Sequence, residues 1–278
     1  MKDIKRRIKS VGSTRQITKA MELVSSSKLR KAKARAEQAR PYFNELYRSM
    51  CEIASANIDF STVFTQKRTV KNRLFIVIAG DRGLAGGYNS NVLKMAAAAH
   101  ANDAEKPKII AIGRKAIEYF SKRGYELIGT FPNIAEDIKP SLAQDIADIA
   151  VNMVRSGEVD DVQLFFTMFV SSLTQEPQQM AVLPILTQKL ENYGTMSYDP
   201  SPEAVFNRIV PRYTASLLQG AVVEAYASEQ GARRTAMESA TDNADEMIAS
   251  LSLLYNRARQ ASITQELTEI VGGANALE

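Results

Sequence analysis

The chain has 278 residues, 45% of them hydrophobic and 24% charged, with a net charge of +4. That composition excludes a disordered polymer and is enough for one sizeable domain or two modest ones. A single cysteine, Cys51, and a single histidine, His100, exclude an internal disulfide and a thiolate metal cluster, and they suit a reducing compartment.

The charge is unevenly placed. Met1 to Arg40 carries 13 Lys or Arg against Asp3, Glu22 and Glu37, a net of +10. Ala204 to Glu278 carries 6 Arg, no Lys and 9 acidic residues, a net of −3. The basic start is not followed by an unbroken apolar segment, and no apolar run approaches about 18 residues. Neither a signal peptide nor a membrane span is expected.

The first block, 1–57, is rich in Lys, Arg, Ala, Glu and Ser and reads as helix. Ala36, Ala39, Phe43, Leu46, Met50 and Ile53 recur at alternating gaps of three and four, the spacing of a coiled-coil seam. Ile4, Ile8 and Val11 begin a similar seam, and Ile17, Met21 and Val24 continue it on a neighbouring line.

The middle block, 68–203, alternates between strand and helix. Strands are expected at Leu74–Ala79, Lys108–Ile112, Glu126–Phe131, Val162–Val170 and Gln179–Leu186. Helices are expected at Ser90–His100, Arg114–Arg123 and Ser141–Arg155. That alternation predicts a mainly parallel sheet covered by helices.

The last block, 204–278, has no proline after Pro211. Met237, Thr241, Ala244, Ile248, Leu251, Tyr255, Ala258 and Ser262 follow a second seam rhythm. As a continuous helix it would span roughly 110 Å, and Gly220 and Gly231 are blemishes costing about 1 kcal/mol each. The fold class is therefore an α/β domain inserted between two long helices, which must run antiparallel if they pair. A rod of that length suits a protein that levers or transmits.

Candidate chemistry is sparse. Gly80, Gly83, Gly86 and Gly87 follow a buried strand, as in a phosphate-binding turn. No Lys-Ser/Thr follows them, however, and their spacing does not fit a dinucleotide fingerprint. A tight turn presenting Asp81 and Arg82 to a neighbour is the better reading. His100 and Cys51 fall on different elements, and Asp160-Asp161 reads as a solvated pair. The basic N-terminal helix allows a coiled-coil nucleic-acid-binding or scaffold protein as an alternative, but no aromatic precedes Tyr42 for base stacking. Near the other end, Arg257, Arg259, Gln260, Thr264, Gln265 and Glu266 form a polar cluster ahead of an uncharged tip, IVGGANAL, which suggests a water-poor socket.

Three segments carry a resemblance. They are "RRIKSVGSTRQITKAMELVSSSKLRKAKARAEQARPY", "DRGLAGGYNSN" and the C-terminal run ending "LYNRARQASITQELTEIVGGANAL". In all three, and in their order and spacing, the chain resembles the γ subunit of bacterial F-type ATP synthases. The resemblance implies a coiled coil of both termini with a Rossmann-like domain between them, acting as a rotor. The coiled coil would turn inside a hexamer of α and β subunits, and the α/β foot would sit with the ε subunit on the membrane c ring.

It implies no catalytic group, metal or cofactor in this chain, because ATP, ADP and magnesium belong to the α and β partners. Nucleic acid would not be a partner. Membrane contact, at the cytoplasmic face of a bacterial membrane, would come only through the c ring. By matching position, Arg259 and Gln260 would contact the β catch loop, with Thr264 and Glu266 supporting them. Ile270, Val271, Ala274 and Leu277 would form the tip in the hexamer socket. Asp81, Arg82 and Gly83 belong to the foot loop. Met21 would pack in the shaft beside Arg259, although counting from the foot by length puts Met1, not Met21, near position 260. Ala85 stands where the family often has cysteine.

Overall fold

The computed structural model describes residues 1–56, 61–66, 69–101, 105–134, 136, 138–185 and 197–275. The elements in chain order are α1 (Lys2–Ala56), β1 (Arg73–Ile78), α2 (Tyr88–Ala98), β2 (Lys108–Ile112), α3 (Arg114–Ser121), β3 (Leu127–Phe131), α4 (Pro140–Arg155), β4 (Asp161–Phe169), β5 (Gln175–Leu183) and α5 (Pro202–Asn275). The chain divides into two compact units. One is Met1–Ser25 with Arg234–Glu278, and the other is Ser26–Arg233.

In the larger unit the sheet runs β3-β2-β1-β4-β5. The first four strands are parallel, and β5 is antiparallel to β4. β1 is buried along almost its whole length because it has helices on both faces, and its residues alternate between two cores. Leu74, Ile76 and Ile78 point into a cluster with α4 residues such as Ile146 and Ala150. Met50 and Ile53 of α1 and Phe206, Val210 and Leu218 of α5 complete it. Phe75, Val77 and Ala79 point the other way, onto Val92 and Leu93 of α2 and Phe120 of α3. Each fully buried side chain of this size contributes about 1.5–3 kcal/mol.

β5 begins at Gln175, four residues before the start the sequence suggests. Only residues 170–174 connect it to β4, too few for a parallel crossover. The opening QEPQQ does not look like a strand because it lies on the sheet edge, where Pro177 pairs with Thr167 and polar side chains face outward.

Within the larger unit α1 and α5 run antiparallel. Phe43 and Tyr47 stack on Tyr213 at 5.4 and 6.1 Å between ring centroids, while Leu29 and Ala32 pack with Tyr226 and Ala227. Both helices continue through an internal proline, Pro41 and Pro211. Of the Ala36–Ile53 seam, Met50 and Ile53 are buried and Phe43 and Leu46 pack against the core. The side chains of Ala36 and Ala39 lie outside the described residues.

In the smaller unit the C-terminal seam is visible. Met237, Thr241 and Ala244 are buried, and Ile248, Leu251, Tyr255, Ala258 and Ser262 are half-buried between exposed neighbours. In the N-terminal seam Ile4, Ile8, Val11 and Met21 are half-buried as expected, but the rest of its continuation shifts. Ile17 and Val24 are exposed, and the buried line runs through Thr18, Glu22 and Ser25. Thr18 and Thr241 hydroxyls meet at 2.8 Å, and Arg15 pairs with Asp245 at 2.5 Å. This fixes the register and corrects an expectation. Half-buried Met21 lies level with residues around Met237 and Glu238, roughly 30 Å along the helix from Arg259. Counting by length from the α/β domain gives this register; the neighbour drawn from the resemblance does not.

Candidate functional site

In a doubly wound sheet, ligands settle in the crevice at the carboxyl ends of the strands where the strand order reverses, here beside β1 and β4. The loop after β1, residues 79–87, lies at that crevice. Asp81 is its anchor. Its Oδ1 accepts the backbone N–H of Arg114, the first residue of α3, at 3.0 Å, and that of Asn133 at 2.8 Å. A carboxylate therefore already sits where a phosphate would meet a helix N-terminus. Asn89 of α2 fastens the loop from the other side. Its Oδ1 accepts the Gly80 N–H at 2.8 Å, and its amide donates to the Arg82 carbonyl at 3.1 Å.

Two glycines here are explained by close approach. A Cβ on Gly113, whose φ is +90°, would lie 1.9 Å from the Ala79 carbonyl oxygen. A Cβ on Gly80 would come within 3.0 Å of the Glu229 carboxyl.

That carboxyl belongs to α5, which fills the crevice. Ser228 donates to the Thr167 carbonyl of β4 at 2.9 Å, and Gly231 lets the helix approach Phe169 so closely that a Cβ would stand 3.2 Å from the ring. Glu229 pairs with Arg233 at 2.5 Å, and Arg233 also donates to the Gly83 carbonyl at 3.2 Å. Both side chains are buried. Burial pushes the Glu229 carboxyl above the usual range, with the Arg233 guanidinium pulling it back down. Tyr88, buried beside this pair, has its phenol pushed up by burial. Gly231, read from sequence as a blemish, is a contact. The Glu229–Arg233 pair is the feature that sequence reasoning missed. The only signal was an acidic and a basic residue four apart, which on most helices marks a solvated face.

Asp81 is half-buried, and Arg82 and Gly83 are exposed on the loop beside it. Asp160-Asp161 is not a solvated pair. Asp160 accepts the N–H groups of Lys71 and Asn72, and Asp161 is buried with Arg73 and Gln163. His100 Nε2 and the Tyr125 hydroxyl lie 2.7 Å apart, and Cys51 is buried. Among the described residues no cluster of His, Cys, Asp and Glu could hold a metal, and no helix is long and apolar enough to cross a membrane.

In the smaller unit Arg259, Gln260, Thr264 and Glu266 all lie exposed on the last turns of α5, where Ser262 donates to Glu266. Ile270 and Val271 are exposed at 68% and 57%. Ala274 is helical, but its side chain, like all of Leu277, lies outside the described residues. Ile17, Leu23, Val24, Leu253, Leu254 and Leu267 are also exposed in this unit.

An α/β domain inserted between two long helices, one of which fills the domain's own ligand crevice, defines the class: a Rossmann-like sheet mounted on an antiparallel helical pair. The chain belongs to the ATP synthase γ-chain family. The family model described as ATP synthase matches residues 1–277. The ATP synthase gamma chain of Ruminococcus albus is 55% identical over 277 residues, covering 97% of this chain and 96% of that protein. The gamma chain of Acetobacterium woodii, described as sodium ion specific, is 43% identical and covers 100% and 98%. Among solved structures, one from the Euglena gracilis mitochondrial ATP synthase, of its OSCP, F1 and c ring in rotational state 3, aligns with a TM-score of 0.72 at 18% identity. It covers 99% of this chain and 94% of that one, a likeness of fold.

Proposed function

We propose that this chain is the central-stalk rotor of an F-type ATP synthase, carrying torque between an ion-driven c ring and the catalytic sites of an α/β hexamer. The observation that carries this reading is the match to gamma chains over nearly the whole length of both chains. The geometry agrees with it. Exposed apolar side chains along the smaller unit exceed what a solvated helical pair needs, and they fit a shaft that a partner surrounds. The crevice that would hold a nucleotide is filled by α5, which supports leaving ATP, ADP and magnesium to the α and β partners. The basic nucleic-acid-binding or scaffold alternative gains nothing from the relatives, which are ATP synthase chains by name.

In this reading the helices of 1–57 and 204–278 form the shaft, and 68–203 forms the foot, which meets the ε subunit and the c ring. Arg259 and Gln260, supported by Thr264 and Glu266, contact a loop of β by charge-assisted and directional hydrogen bonds. Ile270, Val271, Ala274 and Leu277 turn in an apolar socket of the hexamer. The protein works at the cytoplasmic face of a bacterial membrane and touches it through the c ring alone. Reconstitution tests the reading. The chain mixed with its organism's α and β subunits should give a stable complex that hydrolyses ATP, while the chain alone should not. Robust hydrolysis by the isolated chain would refute it.

A further inference from the structure

We propose that Glu229 and Arg233 are positioning residues for torque transfer: the pair clamps the 79–87 loop to α5, so that sheet and helix twist as one piece. The inference rests on the rotor reading and deepens it.

Three observations carry it. First, the pair lies where β1 and β4 end, not on an outer face, and both side chains are buried. Second, it bridges elements far apart in sequence, because Arg233 grips Glu229 one turn back and the Gly83 carbonyl across the crevice. Third, the gripped loop is itself held rigid. Asp81 ties it to α3 and to Asn133, Asn89 ties it to α2, and the Gly80 carbonyl accepts the Lys115 N–H at 3.1 Å. A force applied to the sheet therefore reaches α5 through directional bonds as well as through apolar packing, which slides more readily under shear. Leu84 fits the same picture. It is exposed, with φ at +63°, a conformation that a leucine keeps only where its surroundings impose it.

Glu229→Gln keeps the size of the side chain while removing the charge that Arg233 pairs with. The double variant Glu229→Met/Arg233→Met fills the same space with apolar groups. Such replacement of a buried ion pair generally preserves folding, yet it removes the bond to Gly83.

The experiment compares two readouts for wild type, Glu229→Gln and the double variant in the assembled enzyme. One is ATP hydrolysis by the soluble complex of α, β and this chain, where the foot bears no load. The other is ATP-driven ion uptake per ATP hydrolysed by the whole enzyme in vesicles. The clamp predicts unchanged unloaded hydrolysis. It predicts that transport per ATP falls between about two- and thirty-fold in the double variant, the range for residues that couple two sites without touching either ligand. A merely structural role would lower both readouts together. Wild-type transport per ATP in the double variant would overturn the clamp, and so would a double variant that does not assemble, since the pair would then serve folding. A wild-type enzyme that hydrolyses ATP without any transport would instead overturn the rotor reading.

Discussion

Asp81 satisfies two backbone N–H groups from different elements, so Asp81→Ala leaves both without their acceptor. The expected cost is about 1–3 kcal/mol, read as a shift in the urea unfolding of the purified chain. A variant as stable as the parent would show that solvent replaces the carboxylate freely. The glycines give a sharper contrast. Gly113→Ala must place a Cβ against the Ala79 carbonyl at a positive φ, and is expected to cost more than about 3 kcal/mol. Nothing lies near the corresponding position at Gly83, so Gly83→Ala is expected to stay within about 0.5 kcal/mol of the parent. Equal costs at the two positions would refute the packing account of the loop. A glycine-rich run after a strand was legible from sequence, as was its misfit to a phosphate cradle. That a carboxylate and a helix fill the crevice was not, because the partners of residues 79–87 come from positions 114, 133, 229 and 233.

At the scale of elements, β1 and β2 were legible to within a residue because burial on both faces leaves unbroken apolar runs. The start of β5 is not legible because its edge position makes its first half polar. At Ile17 and Val24 the α1 seam departs from its sequence pattern for a related reason. Thr18 meets Thr241 of α5 and Ser25 is buried, so small polar residues line the buried face while Ile17 and Val24 remain outside. Disulfide trapping tests that register. Thr18→Cys/Thr241→Cys should cross-link on mild oxidation, because the parent hydroxyls meet at 2.8 Å. Met21→Cys/Arg259→Cys should not, and the opposite pattern would restore the register taken from the resemblance.

Burial of the Glu229 carboxyl, opposed by its contact with Arg233, also has a pH signature. The folded chain holds the Glu229 proton more tightly than the unfolded chain, so the stability linked to that proton is fully present below the unfolded carboxylate range. It declines as pH rises through the raised folded value. Unfolding midpoints of wild type and Glu229→Gln from about pH 4 to about pH 8 should diverge in the variant's favour as pH rises. Parallel curves would contradict the raised carboxyl.

For the whole molecule, the block plan of helix, α/β domain and helix came from composition and periodicity, and the family came from three segments near positions 6–42, 81–91 and 228–277. The mechanical junction did not, since charged residues on a long helix look solvated until the fold places them in a crevice. The central claim is that this chain turns within the α/β hexamer. Single-molecule observation of a probe fixed to an exposed residue of the α/β domain, with the hexamer immobilised, tests it most directly. The account predicts ATP-dependent rotation of the probe in one direction. A probe that stays still while the same complexes hydrolyse ATP would contradict it.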